Sequence, residues 1–465
     1  MKKLTKLLLL ISFLLCSVAL FSQANNQTVA FTHVTVIDVR SGALKPDITV
    51  VVEGNHITAV APTKKNKIPK NAQILDKSGK FLLPGLWDMH IHSLYEGRPE
   101  LFFPMFIANG VTGVREMGSS MPFEKINAIR RQIENGEIVA PRFGAVAGKI
   151  LDATAWGPEI EAVTTPEEAR KAVREHKAEG ADFIKVYNDL SRPVYFAIVD
   201  EAKKQNMPFE GHLPASVYAT EASDAGQKSM EHLIGIMQAC SSKEKELRQV
   251  ALSDLKGEQV LNSFDEAKSQ QLFKRFAANK TWQCPTLVFT REFFDFKYDS
   301  GLANDPRLAY IPLENREDWK NQMKEMTTTA TWGKAFYMKL TEVVNEMNQL
   351  HVPLLAGTDV GLGNPYTYAG FSLQQELTYL VGAGLTPLEA LQTATINPAK
   401  FLNKEKELGT VEKGKLADLV LLDANPLDDI HNTAKINAVV ANGKYFSRND
   451  LDELLAQAKA RAGKR

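Results

Sequence analysis

At 465 residues the chain exceeds the roughly 250 to 300 residues over which a single hydrophobic core keeps growing, so more than one domain is expected. Its 55 basic and 55 acidic residues cancel to a formal net charge of zero. That balance leaves no bulk field to recruit nucleic acid or an anionic membrane surface, and it points to a small-molecule partner.

Residues 1 to 24 read as an export signal: Lys2, Lys3 and Lys6, then an apolar run from Leu7 to Phe21, then Ser22-Gln23-Ala24 as a small-x-small cleavage site. The run is shorter than the roughly 20 residues needed to span a bilayer. No later segment is apolar enough to cross one, so the expectation is a periplasmic or secreted protein free of the membrane after signal removal. Cys240 and Cys284 then remain. A single bridge and two buried thiols both stay open, the thiols favoured because Cys284 sits in the apolar run from Thr281 to Phe289. The oligomeric state is open, a homo-oligomer included.

From residue 25 to 84 the pattern is one of short strands: Phe31 to Val39, Ile48 to Val52, a turn at Glu53-Gly54-Asn55, His56 to Val60, and Phe81 to Leu83. Residues 404 to 465 have the same character, with strands at Leu416 to Leu422 and Ile436 to Val440, an Asn442-Gly443 hairpin signal, Tyr445-Phe446, and a terminal helix. The two ends are expected to form one small β-sandwich. Between them, residues 85 to 403 alternate strands with helical stretches. Eight strand-like runs are legible: Trp87 to His92, Val111 to Met117, Phe143 to Lys149, Phe183 to Tyr187, Pro208 to His212, Ser229 to Leu233, Thr286 to Phe289 and Pro353 to Asp359. Helix Thr165 to Glu179 opens on Thr165-Pro166-Glu167-Glu168, a cap followed by proline and acidic residues. Eight is the count of a closed (β/α)8 TIM barrel, so the fold expected is α/β, with a doubly wound open sheet as the alternative. The aromatic-rich stretch from Thr290 to Leu340 suits a partly helical cover over the open face, or extra packing outside the barrel.

Six residues at the ends of these runs carry the chemistry: His90, His92, Lys185, His212, His232 and Asp359. In a parallel barrel the C-terminal ends of the strands share one mouth, so side chains far apart in sequence meet there. His90 and His92 differ by two and on a strand face the same way. With His212, His232 and Asp359 they make a ligand set suited to zinc and its neighbours. A lysine buried beside cations loses its proton readily. The neutral Lys185 amine could then add carbon dioxide to give a carbamate, an anionic ligand able to bridge two metals.

Pro84-Gly-Leu-Trp-Asp-Met-His-Ile-His92, the lysine strand, the two single-histidine strands, Gly357-Thr358-Asp359 and the closing Gly409 to Asp423 segment together resemble the amidohydrolase superfamily. Val111-Thr-Gly-Val-Arg-Glu116 and the lysine on the fourth strand are similar to the branch of metal-dependent, prolidase-like dipeptidases related to imidazolonepropionase. The resemblance implies that His90, His92 and Asp359 hold one divalent ion, His212 and His232 a second, and carboxylated Lys185 bridges them. The metals it implies are zinc, and the nucleophile is a metal-bridging hydroxide with Asp359 as catalytic proton carrier. The reaction implied is hydrolysis of a C–N bond in a small amide, a dipeptide being the first class to try. A lactone or phosphotriester hydrolase would use the same site, and a mononuclear imidazolone hydrolase or deaminase would need one metal and no carbamate. A non-catalytic scaffold fits poorly with six intact donors.

Two departures from the family pattern bear on the substrate. Ala215 stands where the single-metal members have a glutamate, and Pro214 where many of the dipeptidases have a tyrosine. Tyr187, Asn188, Tyr218 and Tyr366 are the candidates to replace that substrate anchor. Arg115 and Glu116, adjacent opposite charges after the second strand, read more readily as a structural bridge than as a substrate clamp. His33, His56, His176, His351 and His431 have no matching context.

Overall fold

The computed structural model describes residues 28–94, 98–249, 257–294, 300–326 and 332–463. The expected export signal lies outside them, as do parts of the Thr290 to Leu340 stretch. Among the described residues no helix is long and apolar enough to cross a membrane.

The first five strands, β1 (Thr28–Asp38), β2 (Ala43–Glu53), β3 (His56–Pro62), β4 (Gln73–Asp76) and β5 (Phe81–Pro84), precede the barrel. Seven strands of its wall and one beside it, β9, follow: β6 (Leu86–Ile91), β7 (Val111–Glu116), β8 (Arg142–Asp152), β9 (Ile160–Ala162), β10 (Phe183–Val186), β11 (Phe209–Gly211), β12 (Ser229–Glu231) and β13 (Trp282–Cys284). The last three are β14 (Leu419–Leu422), β15 (Ile436–Ala441) and β16 (Lys444–Ser447).

The chain ends join as expected, through β5 and β14, which pair antiparallel from Pro84 opposite Leu419 to Phe81 opposite Leu422. They form one mixed sheet in the order β16-β15-β14-β5-β1-β2-β3, with β4 on β1. One set of alternating side chains supplies its own core, including Phe31, Val36, Val50, Leu82, Leu419 and Val440. Burying each such side chain contributes about 1.5–3 kcal/mol. At the β15–β16 turn Asn442 and Gly443 both take left-handed φ values, 48° and 77°, the backbone that a two-residue hairpin of matching twist requires.

Strands β6, β7, β8, β10, β11, β12 and β13 run parallel in one curved sheet, with β9 beside β8. The eighth expected strand, Pro353 to Asp359, closes the wall through single bridges rather than a continuous ladder. Leu354 pairs Gln283 on one side and Val360 pairs Ile91 on the other, supported by Leu355 N–H to Gln283 O and Met89 N–H to Ala356 O, both 2.9 Å. The result is a nearly closed parallel barrel of α/β class. Its helices bury their apolar faces against it; Pro166–Glu179, for example, has the expected cap at Thr165, which Glu168 completes as a capping box.

The seventh strand is a correction. It is Trp282–Cys284, and the run expected to be that strand, Thr286 to Phe289, instead opens the helix Leu287–Phe294. Pro285 supplies no N–H to continue the ladder, and Thr286 turns the chain with φ 48°. Of the Thr290 to Leu340 stretch, the described Thr290, Trp332, Phe336 and Leu340 line a cavity at the barrel mouth, so this part does cover the open face. Cys240 and Cys284 are both free and buried.

Candidate metal centre

The six expected donors come from different parts of the wall: His90 in β6 and His92 just after it, Lys185 in β10, His212 and His232 immediately after β11 and β12, and Asp359 after the closing segment. Two of them sit on uncommon backbone. His232 has φ 60° and Asp359 φ 57°, conformations that turn the side chain out of the strand's alternation and are retained where surrounding packing enforces them.

The structure brings the histidines and the aspartate together. His90 Nε2 and His92 Nε2 each lie 3.1 Å from Asp359 Oδ1, and His232 Nε2 lies 3.9 Å from Asp359 Oδ2. The rings of His90 and His232 are 4.4 Å apart, those of His212 and His232 4.9 Å. Three of the imidazoles are fixed by their other nitrogen: His90 Nδ1 to Glu231 Oε2 at 2.8 Å, His212 Nδ1 to Asn188 Oδ1 at 2.8 Å, and His232 Nδ1 to Thr286 Oγ1 at 2.7 Å. Because the glutamate and amide oxygens can only accept, His90 and His212 donate from Nδ1, which leaves their Nε2 lone pairs for the site.

Charge states favour ligation. Burial, reinforced by the charge of Lys185, lowers the pKa of His90 and pushes His212 well below the imidazole range. Burial takes His232 down to about 3. All three are therefore neutral at physiological pH. Burial would raise the Asp359 carboxyl, but His232 and His90 hold it well below the carboxylate range. Among the described residues His90 Nε2, His92 Nδ1 and Lys185 Nζ are buried without a hydrogen-bond partner. Neutral imidazoles around one carboxylate, with buried nitrogens unpaired, fit a divalent cation. One donor atom each from His90, His232 and Asp359 lies within 4.8 Å of the others. A second grouping, His90, Glu231 and Cys284, is equally compact. It reflects the His90–Glu231 hydrogen bond, and burial pushes the Cys284 thiol well up, so it stays protonated.

Lys185 is fully enclosed, and burial lowers its ammonium to about 8. Its charge is felt by His90, His212 and His232 alike. Gly211 is required beside it: with φ 130°, a Cβ there would lie 2.3 Å from Val186 O and 2.9 Å from Lys185 Cδ. A side chain at 211 would displace the lysine strand.

Beneath the donors lies a buried charge network. Arg115 does not pair with its neighbour Glu116. Strand alternation sends the two to opposite faces, and Arg115 Nη1 reaches Glu210 Oε2 at 2.7 Å while Nη2 reaches Glu231 Oε2 at 3.0 Å. Glu116 accepts instead from Ser93 N and Oγ at 2.9 and 2.8 Å, and burial raises its carboxyl to about 7. Glu231 links the network to the site, since the carboxylate that holds Arg115 also holds His90. Sequence reading missed Glu210, Glu231 and Thr286. A signal was present: Glu210 and Glu231 sit one or two residues before the single histidines inside apolar strands, where a charge needs a partner.

A cavity of about 790 Å³ opens above the donors. His92, His212, His232 and Asp359 are on its wall, with Tyr187, Asn188, Trp156, Glu159, Phe289, Trp332 and Phe336 among the rest. Tyr187 stacks on His212 with ring centroids 4.0 Å apart. Tyr218 and Tyr366 do not line the cavity. Tyr218 precedes the helix Ala219–Ala225 under the Arg248 guanidinium, 5.1 Å away, and Tyr366 is buried against Trp319, ring centroids 5.6 Å apart. Of the five histidines without context, His176 is buried with Nε2 2.9 Å from Glu161, outside the site.

Comparison with known proteins agrees with this geometry. The family model described as Amidohydrolase family matches residues 338–445. The chain is 28% identical over 169 residues to a 5-methylthioadenosine/S-adenosylhomocysteine deaminase of Clostridium tetani, a match covering 32% of this chain and 39% of that protein, less than half its length. It is 25% identical over 432 residues to an imidazolonepropionase of Vibrio campbellii, covering 89% of this chain and 94% of the relative. Among solved structures it superposes on a Bifidobacterium longum protein provisionally named a prolidase, with TM-score 0.67, 25% identity, and 93% of this chain and 99% of that one covered. Residues 338–445 thus carry the Amidohydrolase family pattern, and over most of its length, through the barrel, its flanking sheet and the His90-x-His92 strand, the chain is similar to imidazolonepropionase-related and prolidase-like proteins.

Proposed function

We propose that the protein is a metal-dependent hydrolase that cleaves a C–N bond in a small amide, with a dipeptide the first substrate class to try. The observation that carries this reading is the convergence of the His90, His92 and His232 imidazoles on ionised Asp359 at the floor of the cavity. His90, His92 and Asp359 would hold one divalent cation and His212 and His232 a second, with Lys185 as the bridging carbamate and zinc as the metal. Such ions supply Lewis acidity toward the scissile carbonyl and acidify water near neutral pH. The chain's own work is then positional and protonic. Glu231 and Asn188 hold His90 and His212 by Nδ1, and the cavity's apolar wall excludes bulk water. Asp359 Oδ2, not engaged by His90 or His92, is placed to accept a proton from water and return it to the departing amine.

Export and a small-molecule partner belong to the same proposal, which is compatible with a monomer or a homo-oligomer. Lactone and phosphotriester hydrolysis are the rival chemistries for the same donors. A single-metal deaminase or imidazolone hydrolase is favoured by the names of the curated relatives but lacks a carboxylate at position 215, which is alanine here. Elemental analysis of the purified protein, followed by a dipeptide, lactone and phosphotriester screen on the zinc-loaded form, tests the reading. Two metals per chain and dipeptide turnover are expected; one metal, or turnover confined to the other classes, would refute it.

A further inference from the structure

Glu159 closes the loop between β8 and β9 at the barrel mouth, on the cavity wall with Trp156 and Tyr187. Its side chain is fully buried, and among the described residues neither carboxylate oxygen has a hydrogen-bond partner. Gly157 leaves the room it occupies, since a Cβ there would fall 2.3 Å from Glu159 Oε1. A buried carboxylate with both oxygens unpaired is costly and is seldom kept without something to satisfy it. Nothing on the described cavity wall does so: it carries no lysine or arginine. The rest of the wall is suited to a cation of a particular kind. Trp156, Phe289, Trp332 and Phe336 offer aromatic faces, which attract cationic nitrogens and pack against apolar groups.

We propose that Glu159 is the specificity anchor for a cationic nitrogen of the substrate, an ammonium or guanidinium borne next to an apolar or aromatic body. This rests on the amide-hydrolase reading above and narrows it. The nitrogen could be a free α-amine or a basic side chain, and the unpaired carboxylate recognises both by the same charge-assisted hydrogen bonds.

The test uses full-length, zinc-loaded protein and three anilides: phenylalanine anilide, its N-acetyl form, and N-acetyl-lysine anilide. Aniline release gives kcat/KM for each. At least one cationic anilide is expected to exceed the neutral N-acetyl-phenylalanine anilide by about tenfold or more, and Glu159→Gln should collapse that ratio toward one. Which of the two is preferred identifies the α-amine or the side chain. Calorimetry with phenethylamine against phenethyl alcohol provides a readout that needs no turnover. The amine should bind more tightly, and Glu159→Gln should weaken it by about tenfold. Glu159→Asp, which keeps the charge, should retain part of the preference and guards against a folding defect in the glutamine variant. Equal kcat/KM across the anilides, a ratio unchanged in Glu159→Gln, or equal binding of amine and alcohol would overturn the anchor. Glu159-dependent amine binding without turnover of any amide would refute the amide reading and leave the anchor standing.

Discussion

Replacing Arg115 with methionine tests the network that underlies the site. The guanidinium is fully buried, 2.7 Å from Glu210 and 3.0 Å from Glu231. At an effective dielectric of about 20, each contact is a gross attraction of about 5 to 6 kcal/mol. Much of that offsets desolvation, but removing one partner strands the others, and the expected cost is about 3–5 kcal/mol. Among the described residues Glu210 keeps an ion pair with Lys228 Nζ at 3.7 Å, whereas Glu231 keeps hydrogen bonds with His90 and Ser229 Oγ and the longer-range charge of Lys185. The stranded charge is therefore chiefly Glu231, and Arg115→Met combined with Glu231→Gln should recover most of the loss. The pH dependence follows. Burial would raise the Glu231 carboxyl, but Arg115 and His90 hold it well below its ordinary 4.5. Its contribution is thus complete above 4.5 and lost only as pH falls through the lower folded value. Without Arg115 that acid-side protection should vanish. Urea unfolding of the metal-free protein, followed by circular dichroism across pH, measures all three effects. A loss below about 1 kcal/mol, or a double variant no more stable than the single, would refute the reasoning.

Lys185→Ala should reduce zinc content and turnover together, with turnover partly restored by a short-chain carboxylic acid; full zinc content in the variant would count against a ligating role. Thr286→Val removes the oxygen that holds His232 Nδ1 while keeping a β-branched shape at the same backbone. Zinc affinity should fall by about 10- to 100-fold in a chelator competition, and wild-type affinity would show that Thr286 does not orient the ring. Burial raises the Glu376 carboxyl from 4.5 to about 8, so its contribution is complete below 4.5 and is lost as pH rises through 8. Glu376→Gln should flatten thermal stability across that window and stabilise the protein at alkaline pH. Curves that stay parallel to wild type would refute a titrating Glu376.

How far the sequence carried depended on whether a residue's surroundings left a mark in its own neighbourhood. His90, His92, His212, His232 and Asp359 stand out because polar side chains at the ends of apolar strands have few reasons to be there, and parallel strands aim them at one mouth. The seventh strand was misplaced because an apolar run of a few residues has no period to separate strand from helix. Trp282–Cys284 is only three residues long, and Leu287 and Val288 are buried as helix residues. β4 was missed because its burial is low on both faces, so it shows no alternation. Tyr218 and Tyr366 were drawn to the site by sequence proximity to its strands, which says nothing about where a loop side chain packs. Glu159 left no pattern because its role is set by what the rest of the wall lacks.

The placement of charge explains why these donors can be both buried and ready. Enclosure in the barrel strips protons from His90, His212 and His232 and lowers Lys185, which is what ligation requires, but the same enclosure raises the carboxyls of Glu116 and Glu376. Asp359 escapes because histidines surround it, and Glu231 because Arg115 lies behind it. The cation beneath the site therefore keeps Glu231 ionised, ionised Glu231 fixes the His90 tautomer, and that tautomer turns the Nε2 lone pair toward Asp359. Each step fails if the one before it is neutralised, so loss of Arg115, which touches none of the donors, should lower metal affinity in the direction predicted for loss of an orienting contact such as Thr286.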